Sequence, residues 1–152
     1  MKIALKYGLI ITAVVILWVV VARFVLDVGA DSKANLIAPV LFNVAEFFSI
    51  FLGIRERKRE LGKAFIFKRG VKMGTAIAFV YATSACLFFV VEYFIAGPKL
   101  LMSEAAQGQL LWQVAAKAFA GLFFLSVIFG IIYSTLSAFV LAREGKLAHN
   151  RR

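Results

Sequence analysis

One cysteine, one histidine and two prolines stand in this chain beside 16 phenylalanines. A lone Cys86 excludes an internal disulfide and a cysteine metal site. A lone histidine, His149, excludes two-histidine haem ligation, and its place among basic residues fits a solvated tail better than a catalytic base. Acidic residues are scarce as well, 8 Asp and Glu against 18 Lys and Arg. Charge of either sign makes up only 17% of the chain, too little to clothe a soluble surface.

What is there instead is apolar. The chain is 62% hydrophobic with a mean hydropathy of +0.90, against about 45–50% apolar residues in a soluble domain. The composition is that of an integral membrane protein. A crossing needs about 20 apolar residues for ~30 Å of hydrocarbon, so 152 residues admit about four spans in one domain. The formal net charge of +10 lies beside those spans, which points to anionic lipid headgroups and away from nucleic acid.

The spans are read as 7–28, 36–54, 71–94 and 116–142, an all-α antiparallel four-helix bundle. Val28-Gly29-Ala30 also fits a signal-peptidase site, but the run before it exceeds a usual signal core, so span one is expected to be retained. Pro39 suits the first turn of span two, where its missing N–H costs least, and Gly97-Pro98 ends span three. After a cap at Ser103, the helical pattern is too long for one crossing. A short interfacial helix over 105–113, anchored by Trp112, is expected before span four.

Basic residues sort to one end. Lys2, Lys6, Arg55, Arg57, Lys58, Arg59, Lys63, Lys68, Arg69, Lys72, Arg143, Lys146, Arg151 and Arg152 share one side; only Lys33, Lys99 and Lys117 take the other, with Arg23 inside a span. By the positive-inside rule both termini are expected in the cytoplasm.

Small residues recur at every fourth position on three spans: Ala45, Ser49, Gly53; Gly70, Gly74, Ala78, Ala82, Cys86; Ser126, Gly130, Ser134, Ala138, Ala142. Lipid offers no hydrophobic drive to pair helices, so such rows are where backbones approach closely. Phe88, Phe89, Phe123 and Phe124 are expected on the opposite faces, toward lipid or a partner subunit.

The basic stretch between spans two and three is read as a loop held at the membrane surface, with Ala64-Phe65-Ile66-Phe67 dipping among the charges. Docking of an acidic cytoplasmic partner is the sharper alternative. The run from Phe48 to Val80 resembles a bacterial family of small four-span inner-membrane proteins known only as a domain of unknown function. The residues that carry the likeness are Gly53, Ile54, Arg55, Gly62, Phe67, Lys72 and Gly74; Glu56-Arg57-Lys58 replaces the Tyr-Arg-Asp common in that family. The resemblance implies topology and no activity.

No nucleophile with a base, no carboxylate pair and no metal set is spelled out, so the chain is not expected to be an enzyme or to hold a cofactor. Two charged residues inside spans stand out. Glu46 lies near mid-bilayer and Arg23 near the outer end of span one, and each costs at least ~2.5 kcal/mol there unless partnered. They are expected to pair, with Asn43 between them in depth, as a register-fixing contact, or else Glu46 is simply protonated; a proton or ion relay is the alternative. The function expected is a small accessory or scaffold subunit packing against larger membrane proteins or copies of itself, with an oligomeric transporter or channel using Glu46 as the second reading.

Overall fold

The computed structural model describes residues 1–24, 37–96 and 111–149, the side chains of 23, 24, 96, 111 and 144–149 excepted. The described residues form α1 (Lys2–Phe24), α2 (Ile37–Leu61), one turn of 3-10 helix (Gly62–Ala64), α3 (Phe67–Ala96) and α4 (Leu111–His149). All four α-helices are long and apolar enough to cross a membrane. At ~1.5 Å per residue even α1 reaches about 35 Å.

The basic stretch departs from the expected loop. Helix α2 continues through Arg55, Glu56, Arg57, Lys58, Arg59 and Glu60 to Leu61, because Arg, Lys, Glu and Leu all favour helix and nothing before Gly62 stops it. Arg57 adds an ion pair one turn along, to Glu60 at 2.6 Å. Gly62 then takes φ +50°, the left-handed conformation in which glycine commonly ends a helix. Phe65 N–H donates to Gly62 O at 3.2 Å, and α3 opens at Phe67, four residues before the expected start of span three. The reversal is therefore a tight corner.

Helix α4 runs unbroken for 39 residues, about 58 Å, and so outlasts the expected 116–142 span at both ends. Residues 111–113 of the expected interfacial helix belong to α4; the rest of that segment lies outside the described residues. The turn joining α1 to α2 lies outside them too.

Helices α3 and α4 share the largest interface, α1 packs on α3 and α2, and α2 also packs on α4 and α3. Helices α2 and α3 each touch all three of the other helices and form the inner pair of the bundle. Ile11 and Val15 of α1, Ile50 and Ile54 of α2, Ile77 and Ala78 of α3, and Leu141 of α4 are buried at its centre. Of the phenylalanines expected to face outward, Phe124 does so at 63% exposure. Phe89 packs against the core instead. Phe88 and Phe123 are half-buried, the latter meeting Phe79 of α3 edge to face at 5.7 Å. Edge-to-face rings close an interface that aliphatic side chains would leave open.

Candidate functional site

The small residues of α3 and α4 lie directly opposite one another. A Cβ added at Gly70 would stand 2.8 Å from Ala138 Cβ, one at Gly74 2.6 Å from Ser134 Cβ, and one at Gly130 would collide with Ala78 Cβ. Three consecutive turns are thus in contact close to backbone distance, as small residues allow in lipid. Ala82 and Ser126 are buried one turn further on, and the Cys86 thiol lies 3.7 Å from Phe119 O. On α2, Ser49 and Gly53 are buried and Ala45 is half-buried. A Cβ at Gly53 would run into Ile77 Cδ1 and stand 3.1 Å from Tyr7.

Glu46 sits where α2 meets that seam. It is 3% exposed, and a Cβ at Gly130 would stand 2.9 Å from its Oε1. Among the described residues Oε1 has no hydrogen-bond partner. Asn43, one turn away, is engaged: Tyr133 O–H donates to its Oδ1 at 2.9 Å and its own amide donates to Pro39 O at 2.7 Å. Phe47 packs edge to face on the same Tyr133. A buried carboxyl oxygen without a donor is exceptional and is a place for a proton or a cation.

The side chain of Arg23 lies outside the described residues, and so does the expected pairing of Arg23 with Glu46. The backbone bears on it all the same. Gly8 of α1 and Gly53 of α2 both pack against Ile77. From Gly8, fifteen residues lead out to Arg23, about 22 Å, whereas seven lead from Gly53 to Glu46, about 10 Å. The two backbones differ by about 12 Å in depth.

The expected headgroup residues cluster at one end of the bundle. Arg55, Arg59, Lys63, Lys68, Arg69 and Lys72 are exposed, and Arg57 and Lys58 are half-buried. Arg69 donates to Ala64 O at 3.0 Å, which ties the corner. Two groups in this region were not singled out by the sequence. Glu56 receives both Tyr7 O–H at 2.7 Å and Lys6 Nζ at 2.9 Å from α1. Further into the bundle, Thr12 and Ser84 meet hydroxyl to hydroxyl at 2.5 Å across α1 and α3. For Thr12 and Ser84 the available signal was a polar residue inside an apolar run, since such groups seek partners in lipid; Glu56 stands among charged neighbours and carried no such signal.

No three His, Cys, Asp or Glu side chains converge among the described residues. Comparison with family models, curated proteins and solved structures gives no match.

Proposed function

We propose that this chain is a small membrane-embedded accessory or scaffold subunit, without catalysis of its own, that packs against a larger membrane protein or further copies of itself. The carrying observation is the stripe on α4 formed by Phe124, Ile128, Leu136 and Phe139, each between 52% and 63% exposed. Its helical spacing makes one continuous face of large side chains, while the opposite face of α4 is spent on the closed seam with α3. Large aromatic anchors on one face and small residues on the other suit a helix with two different neighbours.

In this reading the basic end faces the cytoplasm with both termini, which the charge asymmetry supports; a bacterial inner membrane, which the family resemblance supports, and a short interfacial helix before α4 belong to the same proposal. Membership of the four-span family of unknown function is part of the same proposal and rests on the residues from Gly53 to Gly74. Photocrosslinkers placed at Phe124 and Phe139, with Leu17 on the exposed side of α1 as reference, test it in intact membranes. Discrete protein adducts from α4 alone are expected. Lipid adducts at all three positions would remove the scaffold reading.

Glu46 favours a second reading, an oligomeric transporter or channel, because its Oε1 is buried and lacks a donor among the described residues. The seam speaks against a path within one copy, since α3 and α4 meet at the level of Glu46 with no space for a solute. Ion or proton flux into proteoliposomes that disappears in Glu46→Gln would establish this reading over the first.

A further inference from the structure

A groove of about 490 Å³ opens between the first turns of α1 and the first half of α3. Ala4 and Leu5 form one wall, Ala76, Phe79 and Val80 the other, and Lys72 lines it from the basic end. Its size falls within the range of small-ligand sites, about 300–1,000 Å³. The arrangement is graded in depth. From Lys72 to Val80 the helix advances about 12 Å, most of the way through one leaflet of a ~30 Å hydrocarbon layer. Charge sits at the surface and apolar side chains lie below it.

Lys72 is also unspent. Lys6, nearby on α1, is paired with Glu56, whereas no carboxylate engages Lys72 among the described residues. Lys68, one turn earlier on α3, and Lys2 on α1 are exposed at the same end. A groove with largely apolar walls and a lysine at one end is complementary to a molecule with an anionic head and an apolar tail. We infer that it is a binding site for one anionic phospholipid, its headgroup phosphate on Lys72 and an acyl chain between α1 and α3. The inference is independent of whatever docks on α4.

The small side chain of Ala76 makes room for the chain, and the site can be closed there without touching charge. Native mass spectrometry of the full protein, released from detergent mixed with phosphatidylglycerol or phosphatidylcholine, reads retention directly. One phosphatidylglycerol is expected to survive activation in preference to phosphatidylcholine. Near an anionic surface each basic residue contributes about 1 kcal/mol, so Lys72→Gln should weaken retention about fivefold. Lys63→Gln, at the corner and away from the groove, should leave it within twofold. Ala76→Phe should abolish retention with Lys72 intact; circular dichroism of all three variants verifies the fold, and should Ala76→Phe fail to fold, the Lys72 and Lys63 comparison decides alone. Equal retention of the two lipids would overturn the site by showing no selection for an anionic headgroup, and equal losses in Lys72→Gln and Lys63→Gln would overturn it in favour of diffuse attraction by the basic end.

Discussion

Gly130 and Ala78 meet so closely that a single added carbon at position 130 would overlap the Ala78 methyl group. The contact lies one turn from Gly74 against Ser134 and two from Gly70 against Ala138 on the same seam. Close packing of this kind is intolerant of added volume.

Gly130→Ala is therefore expected to destabilise the bundle by about 1–3 kcal/mol, the usual range for overpacking a filled interior. Gly121 lies on the same helix with nothing within 4 Å of an added Cβ. Gly121→Ala should be neutral or slightly stabilising, since alanine is the better helix former. Unfolding of both variants in the same detergent supplies the comparison, and equal effects would mean that the seam is not what holds α3 to α4.

Thr12 and Ser84 offer a second test. Each hydroxyl also reaches its own helix, Thr12 to Gly8 O at 3.1 Å and Ser84 to Val80 O at 2.8 Å. Removing one partner leaves the other satisfied, so a cycle of Thr12→Val and Ser84→Ala should give a coupling of about 0.6 kcal/mol and not more than ~1.7. A coupling of zero would show that α1 and α3 are joined by shape alone, through Gly8 against Val80.

For Glu46 the expected result follows from its surroundings, in which Gly130 lies against the carboxyl group, Tyr81 and Tyr133 stand close by, and no cation is found among the described residues. With their backbones about 12 Å apart in depth, Glu46→Gln and Arg23→Gln are expected to act additively on stability, as well-separated sites do. Four variants measured under one set of conditions are enough. A double variant more stable than Glu46→Gln alone would establish the ion pair, because removing both charges relieves what removing one creates.

Topology can be read with reporters. Fusions after Arg152 and insertions at Gly62 are expected to report the cytoplasm, and an insertion near Gln107 the opposite side. The basis is the sorting of basic residues to one end. An external signal at Gly62 would invert the bundle and with it the placement of the phospholipid headgroup.

Span count and the small-residue rows could be read from the chain because both depend on local, periodic properties: the length of an apolar run and the recurrence of Gly, Ala and Ser every fourth position. Helix ends were less legible. The stretch from Arg55 to Leu61 reads as a loop by charge, yet charge does not break a helix, and only the conformation of Gly62 does. Contacts between distant residues were not legible at all. Nothing in the sequence distinguishes Tyr7 from other interfacial tyrosines until α1 and α2 are set side by side and Glu56 comes within 2.7 Å of its hydroxyl. Likewise, Glu46 was legible as an anomaly, but its neighbours Ala78 and Gly130 come from two other helices and appear only in the packed bundle.

The continuity of α2 has a mechanical side. Glu46 and Arg59 belong to one uninterrupted helix, thirteen residues and about 20 Å apart, with no proline, glycine hinge or kink residue other than the tightly packed Gly53 between them. A helix of that length moves as a rod. A tilt or rotation imposed on its basic end, by a change in the lipid surface or by a bound protein, has a continuous helix along which to reach the buried carboxyl at Glu46 and the seam it rests against.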